Sequence, residues 1–134
     1  MYDGEVLLEK LRTLLEALER IPRRFAGIAA PADFHGSDAG VDRMDAICMI
    51  LIAVGEEFKN IDRKTEGLLL KRYPEVKWRG LTGMRDVLTH GYFRVDAEQL
   101  FDICANHIPA LIATVKTMIG DVEHGRALQT HDPE

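Results

Sequence analysis

GEVLLEKLRTLLEALERIP, residues 4–22, places Leu7, Leu11, Leu14, Leu18 and Ile21 at spacings of three and four, and Leu8 and Leu15 widen the stripe. That interval draws one face of an α-helix, while Glu9, Lys10, Arg12, Glu16 and Glu19 occupy the other. The helix is expected to run from Asp3 or Gly4 to Ile21. Pro22 should stop it, because proline supplies no amide hydrogen and clashes with the preceding turn. A helix with one apolar stripe must bury it against another element, so the fold is decided by the apolar faces available to cover these leucines.

Pro22, Gly27, Pro31, Gly36 and Gly40 make residues 22–40 a long link, with a short helical turn expected around Phe25. Ser37 or Asp38 can cap a second helix with an apolar side of Val41, Met44, Ile47, Cys48, Leu51, Val54, Gly55 and Phe58. This side is richer than a surface helix needs, which places the helix at the centre or against a second subunit. Asn60 or Asp62 can cap a third helix through Leu68, Leu69 and Leu70, ended by Pro74. Residues 80–91 read as a shorter helix with Leu81, Met84, Val87 and Leu88 inward. Asp96 and Glu98 open a last helix, striped by Leu100, Phe101, Cys104, Ile108, Leu111, Val115, Met118 and Ile119. No stretch alternates like a strand and none repeats. The expected fold is all-α, an antiparallel four-helix up-down bundle with an additional short helix carrying the reactive motif of residues 85–92. One domain should cover residues 1–120, followed by a polar, flexible tail over 121–134.

The 134 residues suit a single domain that needs neither disulfides nor metal to fold. Cys48 and Cys104 sit among apolar residues and read as buried thiols. No uninterrupted apolar run nears the roughly 18–20 residues of a membrane span, and the acidic start does not resemble a signal peptide, so the cytoplasm is expected and a membrane is not. A net charge of -5 argues mildly against nucleic-acid binding, but its distribution is uneven. Between Lys59 and Arg94 lie nine basic and four acidic residues, leaving eight and eighteen elsewhere. This asymmetry is compatible with one positive surface, and equally with a solvated helix face.

Reactive side chains concentrate in WRGLTGMRDVLTHGYFRVD, residues 78–96. Arg85 and His90 are five positions apart, about 140° beyond a full helical turn, so they share a face only if the helix loosens after Thr89 or a second subunit contributes. A guanidinium offers forked donors to phosphate oxygens, and an imidazole can take or give a proton. RNA brings its own nucleophile, so such a pair could cleave it without metal. A non-catalytic reading stands beside this one: an arginine–carboxylate pair and a histidine capping the helix end explain the same residues. Asp86 could orient either partner or be a plain surface acid. Trp78 is expected to pack, and Tyr92 to expose its hydroxyl. Neither a cofactor nor a metal is expected. His35, His90, His107, His124 and His131 lack ligand spacing, and no phosphate-binding glycine loop is present. His107 is expected to be partly buried or interfacial. Glu56 and Glu57, adjacent on a helix, point in different directions.

At these residues the sequence resembles the HepT-like branch of the HEPN superfamily. The family motif is an arginine, a polar residue, three variable positions, a histidine, one residue and a tyrosine, here Arg85, Asp86, Val87–Thr89, His90, Gly91 and Tyr92. The family often has asparagine where Asp86 stands. GEEF at 55–58, YPEVKW at 73–78, the GMRD lead-in, RVD at 94–96 and IPAL at 108–111 occur in family order. The resemblance implies a helical homodimer whose two motifs meet across a cleft. It implies a metal-independent endoribonuclease, the toxin of a two-gene module, with Arg85, His90 and Asp86 as catalytic residues. It also implies a cognate minimal nucleotidyltransferase antitoxin that transfers AMP to Tyr92, which would serve as modification or substrate contact. The alternative is a non-catalytic helical partner of a nucleotidyltransferase, and its expected signature is a buried Arg85 fully paired to protein carboxylates.

Overall fold

The computed structural model describes residues 3–91 and 95–125. Among them the fold is all-α: α1 (Gly4–Phe25), α2 (Asp38–Lys64), α3 (Trp78–His90), α4 (Ala97–Asp102) and α5 (Ile108–Glu123). A π-turn over Ile103–His107 joins α4 and α5 into one rod, Ala97–Glu123. The four principal helices form a bundle in which α1 packs on both α2 and α5, and α3 packs on α2. The leucine stripe of α1 is buried as expected, with Leu7, Leu11, Leu18 and Ile21 fully enclosed. Asp3 caps α1 by accepting from the amides of Glu5 and Val6, Ser37 caps α2 through Gly40, and Asp96 caps α4 through Glu98 and Gln99.

Three local expectations are corrected. Helix α1 does not stop at Pro22 but runs one turn further to Phe25. That turn is held from outside: Phe25 meets Phe101 edge-on at 5.1 Å, and Arg43 donates to the Arg24 carbonyl at 2.8 Å. The link beyond it holds a 3-10 turn at Pro31–Phe34. No separate third helix begins at Asn60 or Asp62, because α2 passes through both. It ends where Glu66 and Gly67 adopt positive φ, and a 3-10 turn, Leu70–Arg72, leads towards α3. Val87 is 56% exposed; α3 turns Met84 and Leu88 inward, and Val87 lies about 100° away from Leu88. His107 is exposed and pairs with Asp102 at 3.1 Å. The π-turn unwinds the chain just before Pro109, which lacks an amide hydrogen and crowds the preceding turn.

The rod Ala97–Glu123 is, by length and composition, the described segment that could cross a membrane. One of its faces is committed to the bundle instead, since Leu100, Cys104, Ile108, Leu111, Val115 and Met118 are buried in the common core. The rod carries residues 121–123 as helix, and residues 126–134 of the expected tail lie outside the described ones. Burial pushes the Cys48 thiol up to about 11, with Asp45 adding to the effect, and the Cys104 thiol up to about 12. Both are free cysteines and packing groups.

Two contacts lock α3 against α2. Near its start the Trp78 ring lies 5.0 Å from Phe58, and its indole N–H donates to the Tyr73 carbonyl at 3.0 Å. Further along, Gly55 of α2 meets Arg85 so closely that a Cβ there would stand 2.6 Å from the Arg85 Cβ and 3.4 Å from the Leu81 carbonyl. Phe58→Ala should therefore destabilise the protein by about 3–5 kcal/mol. Gly55→Ala should cost about 1–3 kcal/mol through overpacking, against the gain of about 1 kcal/mol that alanine gives an open helix. Urea unfolding followed by the fluorescence of the single tryptophan measures both. A Gly55→Ala protein more stable than wild type would mean that the helices separate freely.

Candidate functional site

The motif residues Arg85, Asp86 and His90 all stand on α3, on the side of the bundle formed with α2. Tyr92 lies outside the described residues. The lead-in supplies little capping at the start of α3: Lys77 makes no side-chain bond there. The helix is instead placed by Trp78 and by Met84 and Leu88, which enter the core. It stays regular through His90, and the Gly91 amide closes it on the Val87 carbonyl at 2.8 Å. The loosening after Thr89 that would bring Arg85 and His90 onto one face does not occur.

Arg85 is held by two carboxylates. Its Nη1 donates to Asp86 Oδ1 at 2.8 Å, and its Nη2 stands 2.7 Å from Glu56 Oε1 on α2. The side chain is 25% exposed, so it sits at the rim of the interhelical seam. The two contacts differ in quality. Glu56 Oε1 and Arg85 Nε are both enclosed, and neither makes a hydrogen bond, so the Glu56 contact is Coulombic attraction with poor alignment. The bond to Asp86 does most to raise the pKa of Arg85, with the charge of Glu56 adding and desolvation opposing. The same bond holds Asp86 below the usual carboxylate value, aided by Lys59, Arg85 and His90 and opposed by desolvation. The pairing contributes above the ordinary carboxylate pKa and is lost only as pH falls through the lowered one.

His90 is exposed, and its Nδ1 lies 2.9 Å from the backbone carbonyl of Asp86, one turn back. A carbonyl can only accept, so this bond puts the proton of neutral imidazole on Nδ1 and leaves the Nε2 lone pair open. Asp86 thus touches both partners, Arg85 through its carboxylate and His90 through its main chain. Chemically the surface offers a proton acceptor at Nε2 and a guanidinium whose charge is already matched.

The residue that sequence reasoning misses is Glu56. In the sequence its evident neighbour is Glu57, which instead lies 3.5 Å from Lys10. The signal is Gly55: a glycine inside a long helix marks a close approach, and the residue beside it lies within reach of whatever approaches. Elsewhere, His124 bonds its own helix, with Nδ1 2.6 Å from the Gly120 carbonyl. Among the described residues, no group of three His, Cys, Asp or Glu side chains is arranged to hold a metal ion.

Comparison with known proteins gives the fold a family. A putative RNase of Methanocaldococcus jannaschii is 33% identical over 78 residues, 58% of this chain and 61% of that protein. A probable ribonuclease HepT of Thermococcus cleftensis is 38% identical over 66 residues, 49% and 56% of the two chains. A second putative RNase of M. jannaschii is 31% identical over 78 residues, 58% and 61%. The match spans about three fifths of the length of these relatives. No solved structure matches. The ribonuclease HepT-like family matches residues 14–118, from the middle of α1 to α5 and through the whole motif. The chain belongs to the ribonuclease HepT-like family.

Proposed function

We propose that the protein is a metal-independent endoribonuclease, the toxin of a toxin–antitoxin pair. The family match across Arg85–Tyr92 carries this reading. In the proposed reaction the RNA 2'-oxygen attacks phosphorus as its proton passes to His90 Nε2, the P–O5' bond breaks, and the 5'-oxygen leaves as a hydroxyl on taking a proton from an imidazolium or from water. The products are a 2',3'-cyclic phosphate and a 5'-hydroxyl end. His90 serves as base to the 2'-hydroxyl or as acid to the leaving oxygen. Arg85 offsets the charge building on phosphorus, and Asp86 orients both.

Because α3 is regular, Arg85 and His90 of one chain project from different sides of it. A composite site then calls for a symmetric homodimer in which motif faces motif. Met49, 68% exposed on the apolar helix α2, is one side chain such contact would cover. The proposed partner is a minimal nucleotidyltransferase antitoxin acting on Tyr92. AMP there would add negative charge and bulk where RNA phosphate must dock.

One observation favours a second reading. Both ingredients of a purely structural motif are present in the single chain: Arg85 lies between two carboxylates, and His90 bonds the end of its own helix. The protein would then be a non-catalytic partner of a nucleotidyltransferase. Arg85 keeps a quarter of its surface open, however, which a fully buried structural arginine would not.

His90→Ala should retain the fold and dimer while lowering RNA cleavage by about 100-fold or more. Arg85→Lys should be impaired despite its charge, since an ammonium lacks the planar fork. EDTA should leave the rate unchanged. Cleavage of total RNA with end-group analysis, circular dichroism and sedimentation reads these outcomes. A folded His90→Ala protein that cuts at the wild-type rate defeats the mechanism, and an unmodified wild type inert across a broad RNA panel favours the partner role.

A further inference from the structure

Gly55 and Glu56 are neighbours on α2, and both meet Arg85. Gly55 lets the root of the Arg85 side chain press against the α2 backbone, and Glu56 receives its far end at 2.7 Å. We propose that Glu56 is the positioning residue of Arg85 and an internal competitor for phosphate. It holds the guanidinium across the α2–α3 seam at rest and yields one edge of it to RNA on binding. The competitor role rests on the endoribonuclease reading, whereas the positioning role does not.

The unequal quality of the two carboxylate contacts decides which one yields. Asp86 makes an aligned hydrogen bond to Nη1, whereas the Glu56 contact to Nη2 is unaligned and Nε has no acceptor. Nε and Nη2 form one edge of the guanidinium, a two-donor fork suited to two phosphate oxygens. When the Glu56 carboxylate swings away, Nη2 is released to a phosphate oxygen while Asp86 still holds Nη1. Glu56 is 46% exposed, so its departure needs no rearrangement of the core. Charge leads to the same conclusion. One cation between two carboxylates leaves the trio net negative, with Lys59 acting on the Asp86 side. A phosphate entering beside both carboxylates would be repelled, so one of them must move.

The test compares wild type, Glu56→Gln and Glu56→Ala, each checked for folding by circular dichroism. In the protein without RNA, the NMR signals of the Arg85 guanidinium protons report how freely the group rotates. They should be restrained in wild type, partly retained in the glutamine variant and averaged in the alanine variant. Equal rotation in all three overturns the positioning role. With RNA, Glu56→Gln should lower KM by about three- to fivefold, the scale of a half-exposed ion pair. It should also tighten binding of an uncleavable 2'-O-methyl oligonucleotide, read by fluorescence anisotropy. Glu56→Ala should instead lower kcat by about 10- to 100-fold as Arg85 loses its place. Unchanged binding in Glu56→Gln overturns the competitor role. A wild type that neither binds nor cuts RNA removes that role together with the ribonuclease reading, and the guanidinium spectra then decide the positioning role alone.

Discussion

The contact of Arg85 with Gly55 and Glu56 is the constraint on which the site depends. It joins a long central helix to a 13-residue one that has no side-chain cap of its own at its start. The Trp78–Phe58 stack fixes one end of α3, the glycine contact sets the interhelical spacing in the middle, and Met84 and Leu88 seal the inner face. These three separated points of attachment oppose rotation of α3 about its axis. The direction in which His90 projects is therefore determined by packing that His90 takes no part in.

That rigidity explains why the histidine sits as it does. At the end of a regular helix the imidazole finds a main-chain carbonyl one turn back, and that bond selects the tautomer. No second acidic side chain is needed to orient it. Asp86 is freed to serve Arg85, and the residue at this position acts through two different atoms on two different neighbours. An asparagine here could still accept from Arg85 through its amide oxygen, with the main-chain contact unaffected. The acid instead adds a negative charge beside the guanidinium, which makes the pairing tighter and the surface less inviting to phosphate.

Much of the fold is legible in the sequence because it depends on periodicity and caps. The leucines of α1, the starts of α2 and α4 at Ser37 and Asp96, and the inward face of the last helix all come from spacing and from short polar side chains. The misread helix boundaries share one cause. Pro22, Asn60 and Asp62 are local stop or start signals overruled by tertiary contact: Phe25 against Phe101 beyond the proline, and the buried Phe58 and Ile61 carrying α2 onward. The π-turn is equally illegible, since Pro109 signals a break but not that a wider turn absorbs it. At the site, Arg85, Asp86 and His90 are found from residue type and spacing within one segment. Glu56 is 29 positions away along the chain. Only packing brings it to Arg85, and the buried glycine beside it is the sequence feature that signals the close approach.

The uneven charge of the chain acquires a meaning once Arg85 is known to be matched. A guanidinium between two carboxylates contributes little attraction at a distance, so it cannot be what draws a polyanion to this surface. Any such pull must come from the other basic residues of the 59–94 stretch, among which Lys59, Arg63, Lys64, Lys71, Lys77 and Arg79 are exposed. Long-range attraction and short-range chemistry would then reside on different residues. The exposed lysines and arginines would bring RNA in with little regard to sequence, and Arg85 would engage only the phosphate that displaces Glu56. In the proposed reaction this division gives a nuclease a resting state whose key cation is already satisfied, so that approach alone is not enough for cleavage.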